Sequence, residues 1–246
     1  MEHSETIDLI QSHRSIRAYT EQEVSESAIE TIVASGRWAP SSHHVQAYSI
    51  IVIRDQEMKK QLAAYAGNQK YIETCPVFFV ICADYYRLKY TSEKLGSPFA
   101  ASELEQVIVG VVDAALVAEN MLLAARSLGM GGVMIGGIRN DQEAVAKLLG
   151  LPDYTFPVMG LCVGYPAQQP EQKPRLPKQA VVHYEKYNTS VIEEALADYD
   201  EITERYYESR SEGKRQDKWS RQMANYFAKP NRPEVEEFIR KQGFLK

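Results

Sequence analysis

Two groups of cations, far apart in the chain, have the residue types needed to grip an anion. His13-Arg14-Ser15-Ile16-Arg17 packs two guanidiniums, an imidazole and a hydroxyl into five residues. Lys173-Pro174-Arg175-Leu176-Pro177 adds two more cations on a segment its prolines keep extended. Neither suits a helix interior, so both are expected on loops. Arginine forks bind phosphate oxygens in pairs, and lysine supplies a point charge. The two groups together point to one phosphate-bearing ligand held from distant parts of the chain. A third group lies between Arg210 and Arg221, where five cations stand against Glu212 and Asp217. Taken alone, it is either a second anion site or a solvated helix end.

Other polar residues fit a planar, hydrogen-bonding ligand. Ser41 and Gln69 offer donors and acceptors on loops, with His43 and Gln46 near the first. Gly136-Gly137 follows an apolar run, and glycines there let bare backbone approach a ring; a tight strand-to-helix turn needs the same pair. The stretch is not a dinucleotide fingerprint, because GxGxxG fails at Met134. The adjacent His43-His44 has no third ligand at useful spacing, so no metal site is expected. Asp113 and Glu119 interrupt an apolar stretch, and capping or ion pairing accounts for them better than general acid chemistry. Trp38, Tyr65, Tyr71, Tyr85 and Tyr86 are read as packing aromatics.

The elements that must position these groups follow from periodicity. Short helices are expected over 7–12 and 25–36, the latter with Ser27 and Glu30 spaced as a capping box. Strands are expected over 48–54, 77–83, 131–135 and 156–164, and helices over 56–66, 102–128 and 141–148. The helix over 102–128 is apolar on nearly all faces and is expected to be buried from several sides, since Asp113, Glu119 and Asn120 would suit a bilayer poorly. Residues 85–101 look like an irregular binding loop. Four prolines in Pro166 to Pro177 make an extended arm. From Ser190 on, an amphipathic helix and two further helical segments replace strand formers.

Composition sets the outer limits. The chain has 246 residues, 44% hydrophobic and 25% charged, enough for a substantial core. A net charge of -5 argues against a general nucleic-acid binder. Cys75, Cys82 and Cys162 lie in or beside apolar runs and read as buried thiols. The N-terminus lacks an apolar signal core, so a cytoplasmic protein without a membrane span is expected.

In their order and spacing, the HRSIR, APSS, GNQK, GMGG with IGGIRN, and KPRLP motifs make the chain resemble the flavin-dependent nitroreductases. The likeness is closest to the NADPH-preferring, oxygen-insensitive nitroreductase and FMN reductase branch. It runs from about His13 to the C-terminus. The resemblance implies an α+β fold, a mixed β-sheet flanked by helices, forming one FMN-binding domain over 1–246. Within it, a C-terminal helical extension over 190–246 would wrap the partner subunit of a homodimer. FMN is implied as a tightly bound cofactor and NADPH as co-substrate. His13, Arg14, Ser15, Lys173 and Arg175 would take the FMN phosphate, and Arg17 the pyrimidine edge. Ser41 and Gln69 would serve the ribityl chain or amide edge, and the Ile135-Gly136-Gly137 backbone would face flavin N5. Arg210 and Arg215 would hold the NADPH 2′-phosphate. No side-chain acid or base is assigned, because flavin N5 carries the chemistry. The implied activity is two-electron, ping-pong reduction of nitroaromatics, quinones or free flavin. The alternatives are a dedicated FMN reductase feeding a partner and a non-catalytic flavin-binding redox sensor.

Overall fold

A computed structural model describes residues 2–245, which form two compact units. The first comprises residues 2–170 with 232–245, and the second Glu171–Asn231. In the first, chain order runs α1 (Glu5–Gln11), α2 (Glu26–Arg37), β1 (Tyr48–Ile53), α3 (Gln56–Tyr65), α4 (Lys70–Thr74), β2 (Val77–Asp84), α5 (Tyr86–Lys94), α6 (Leu104–Ser127), β3 (Gly131–Ile135), α7 (Gln142–Leu149) and β4 (Thr155–Gly164). The second unit holds α8 (Lys178–Val181), α9 (Ile192–Arg210) and α10 (Trp219–Phe227); α11 (Glu234–Lys241) belongs to the first.

The expected α+β architecture is present: one four-stranded sheet, ordered β1-β2-β4-β3, flanked by helices. β2 and β4 read as nearly continuous apolar runs because they are central, and all eight residues of β2 are buried. The expected mixed sheet is corrected in one respect, since all its neighbouring pairs are antiparallel. The reason lies in the connections. Ile53, the last residue of β1, pairs with Phe78 near the start of β2, so α3 and α4 leave and re-enter at one end of the sheet.

One face of the sheet carries α6. Its inner residues Ala114, Val117, Met121, Leu122 and Ala125 pack in the main core with Phe79, Ile81 and Leu161. By length and composition this helix could cross a membrane. Its sheet-facing side is buried, while another side is open in the single chain. Leu104, Ile108, Val112 and Leu116, at four-residue spacing, are 38–59% exposed and form an apolar stripe. The other face is covered by α3 and α7 around Leu62, Ile72, Val145 and Phe78. The chain end returns to the α6 side, where Phe244 meets Tyr85, Tyr154 and Phe156 edge-on in the main core.

Two local expectations change. Ser25, rather than Ser27, caps α2 by accepting from the Ala28 amide at 3.2 Å. Half of the stretch expected to be irregular, 85–101, is helix α5, held by the Arg87 ion pair with Asp84 at 2.8 Å.

Candidate functional site

The HRSIR segment begins where α1 stops. Arg126, in the last turn of α6, donates to the Leu9 carbonyl and to Ser12 Oγ, tying the end of α1 to the long helix. Arg14 is half-buried, with Nη1 on the Ser12 carbonyl at 2.9 Å and Nε buried without a partner. Ile16 is buried against β3, its amide donating to the Gly132 carbonyl at 2.9 Å. Its neighbours are less buried, Ser15 partly so and Arg17 exposed. Burial lowers the Arg126 pKa, and nearby Arg14 adds to the effect against the pull of Glu119. His13, Arg14, Ser15 and Arg17 thus form one cationic segment beside the start of β3.

Tyr71 connects this segment to two further predicted residues. Arg17 stands 5.8 Å from the Tyr71 ring centroid. The Tyr71 hydroxyl donates to Gln69 Oε1, and Gln69 Nε2 donates to the Ala66 carbonyl at 2.6 Å. Gly137 lies directly against Gln69. A Cβ there would fall 2.1 Å from Gln69 Nε2 and 2.5 Å from the Ala66 carbonyl, so only glycine fits. Gly136–Arg139 is a 3-10 turn after β3, so the glycine pair makes a tight strand exit as well as an open backbone surface. The fold therefore brings Arg17, Gln69, Ile135, Gly136 and Gly137 into one neighbourhood. Tyr71, assigned to packing from sequence, is the side chain that joins them.

Ser41 lies elsewhere in the same unit. It lines a pocket of about 490 Å³ with Arg37, Trp38, His44 and Gln46. None of the HRSIR residues lines this pocket. Trp38 is 87% exposed in the single chain. Arg87 closes the far end of the Ser41 loop, donating to the Gln46 and Tyr48 carbonyls at 3.0 and 2.6 Å.

The remaining predicted residues belong to the second unit. Tyr199 on α9 donates to the Pro174 carbonyl at 2.9 Å, anchoring the KPRLP arm, and Arg175 Nη1 bonds the Lys173 carbonyl at 2.8 Å. Burial raises the Tyr199 pKa, partly offset by Arg175. Lys173 Nζ and Arg215 Cζ both approach the ring of Tyr207, at 5.7 and 4.1 Å from its centroid. Arg210 Nη1 donates to the Tyr206 hydroxyl at 3.0 Å. Within this unit, one aromatic ring thus bridges cations from two of the three sequence clusters. Sequence spacing gave no signal for Tyr207, one of three tyrosines on the charge-rich α9.

Buried cysteines complete the setting. Cys75, Cys82 and Cys162 are free and fully buried. Burial pushes Cys82 up to about 12 and Cys162 well above its ordinary value.

Known proteins resemble this chain over nearly its whole length. Residues 10–165 match the model of the nitroreductase family, and residues 173–246 match that of the nitroreductase family C-terminal domain. The FMN reductase (NADPH) of Bacillus subtilis is 42% identical over 245 residues, covering 98% of each chain. The oxygen-insensitive NADPH nitroreductase of Salmonella typhimurium is 42% identical over 241 residues, again covering 98% of each. The solved structure of B. megaterium NfrA2 superposes with a TM-score of 0.96 at 41% identity, covering 98% of both chains. With the motifs, the helix-flanked sheet and both segments accounted for over nearly the full length, the chain belongs to the nitroreductase family.

Proposed function

We propose that this protein is an FMN-dependent oxidoreductase that takes electrons from NADPH and passes them in pairs to nitroaromatics, quinones or free flavin. The observation that carries the reading is the Arg17–Tyr71–Gln69–Gly137 cluster at the end of β3. The names of its relatives in B. subtilis and S. typhimurium, an FMN reductase (NADPH) and an NADPH nitroreductase, support it.

The residues fit the cofactor chemically. Arg14 has a buried Nε without a partner, and an anion at the HRSIR segment would satisfy it. His13, Arg14, Ser15, Lys173 and Arg175 are assigned to the phosphate, and Ser41 and Gln69 to the ribityl chain or the amide edge. Arg17 is assigned to the pyrimidine edge, where a fixed cation favours added negative charge. The Ile135-Gly136-Gly137 backbone supplies a surface free of side chains for the ring. Arg210 and Arg215 are assigned to the 2′-phosphate of NADPH. FMN, when bound, supplies the hydride chemistry; the protein binds, orients and sets the field.

A homodimer belongs to this reading, with the helices after residue 190 embracing the partner. The apolar stripe Leu104, Ile108, Val112 and Leu116 on α6 supports it, because such a patch on a polar surface marks an interaction face. Free, buried cysteines accord with a reducing, cytoplasmic setting.

The test is direct. Purified protein should be yellow with flavin absorbance, and NADPH should bleach it faster than NADH does. Oxidation of NADPH should then couple to nitrofurazone or a quinone. Colourless protein that added FMN cannot reconstitute would refute the assignment. Transfer of reduced FMN to a second flavoprotein, faster than nitrofurazone reduction, would favour a dedicated FMN reductase.

A further inference from the structure

We propose that Asp113 is a positioning residue of the flavin site, a buried carboxylate that holds loop 41–46 by both of its ends. It rests on the reading that Ser41 in this loop serves FMN. Asp113 is 1% exposed in the middle of α6. Its Oδ1 accepts from the Ser42 amide at 3.2 Å and its Oδ2 from the Ala47 amide at 3.0 Å. One side chain thus closes a loop from below, across 71 and 66 residues of sequence.

The loop needs such a clamp. His43, His44 and Gln46 have φ of 48°, 57° and 53°, the left-handed region that side chains with a Cβ disfavour. A run of this kind persists only where surrounding contacts over-determine it. Ser41 Oγ accepts from the Gln46 amide at 3.3 Å, so the orientation of Ser41 depends on the same closure. Arg87 secures only the outgoing end. Gly110 lets the carboxylate reach the loop. A Cβ at this position, one turn before Asp113, would stand 2.9 Å from Ala83 Cβ and 3.1 Å from Tyr85 Cε2, pushing α6 off β2. The carboxylate that interrupts the apolar helix is therefore there to hold backbone, and it needs no proton-transfer role.

The test compares full-length wild type, Asp113→Asn and Ile53→Ala, the last a core-weakened control at the far end of β1. Asn keeps the shape but turns an amide donor toward one of the two N–H groups. Hydrogen exchange followed by mass spectrometry reads the loop, and FMN fluorescence quenching on apo-protein reads affinity. Asp113→Asn should speed exchange of the Ser42 and Ala47 amides at least tenfold and weaken FMN at least fivefold. Ile53→Ala, at a similar loss of Tm, should leave FMN affinity within twofold of wild type. Ser42→Pro removes one donor from the loop side, leaves α6 intact, and should act in the same direction if Asp113→Asn does not fold. Unchanged loop exchange in Asp113→Asn would overturn the clamp. A loosened loop with wild-type FMN affinity would overturn its role in the flavin site. Wild-type protein that takes up no FMN would overturn the functional reading and this role together, and is told apart because it appears in the unsubstituted chain.

Discussion

Arg215 places its guanidinium carbon 4.1 Å from the ring centroid of Tyr207, while both its Nε and Nη2 reach Asp217 Oδ2, at 3.1 and 2.6 Å. The cation assigned to the NADPH 2′-phosphate is thus already paired with an anion. Bound phosphate must compete with Asp217, whereas Arg210 donates to the Tyr206 hydroxyl. Arg210→Ala should raise the Michaelis constant for NADPH about tenfold and leave that for NADH within about twofold. Asp217→Asn should lower the NADPH constant by about threefold. Steady-state kinetics with both coenzymes decides, and equal effects on the two would contradict the assignment.

Arg17 and Tyr71 act in series on Gln69. Arg17→Ala should weaken FMN binding by about tenfold or more, the scale of one charged hydrogen bond. Tyr71→Phe keeps the ring under Arg17 but frees Gln69 Oε1, and should weaken FMN by a smaller factor. Equilibrium dialysis of reconstituted apo-protein measures both. Wild-type affinity in Arg17→Ala would remove it from the flavin site.

Gly137→Ala should fail for steric reasons. The new methyl meets Gln69 Nε2, which can swing away, and the Ala66 carbonyl at 2.5 Å, which cannot. Overpacking of this kind costs about 1–3 kcal/mol. Urea denaturation should show that loss, together with weaker FMN binding because Gln69 is displaced.

The thiols should be inert until the chain unfolds. The thiolate is the reactive form, and burial holds Cys82 neutral by raising it from 9.0 to about 12. Folded protein should leave a disulfide reagent unconsumed at pH 8, and unfolding should release all three thiols. The linkage has a definite sign. A group raised on folding contributes stability that is complete below its unfolded value near 9 and is lost as pH rises toward its folded value near 12. Chemical denaturation between pH 8 and 11 should therefore show declining stability, and Cys82→Ala should flatten that decline.

Much of this protein was legible in its residues. All four strands and the long helix followed from apolar runs and their lengths, because burial of a hydrophobic face imposes a period that neighbours in sequence reveal. Gly137 announced itself too, since a glycine pair at a strand exit has few explanations. HRSIR and KPRLP stood out because prolines and clustered charges rule out helix interiors locally.

What stayed hidden depends on partners far along the chain. Antiparallel pairing throughout the sheet is set by where the helical connections re-enter it. The exposed stripe on α6 is invisible in a helix that is apolar on nearly all its faces. Tyr71 looked like a packing residue, Asp113 like a capping or ion-pairing one, and nothing singled out Tyr207. Their roles come from the Arg17 guanidinium, the Lys173 ammonium and two loop amides brought to them from distant parts of the chain, and no local pattern encodes a contact of that kind.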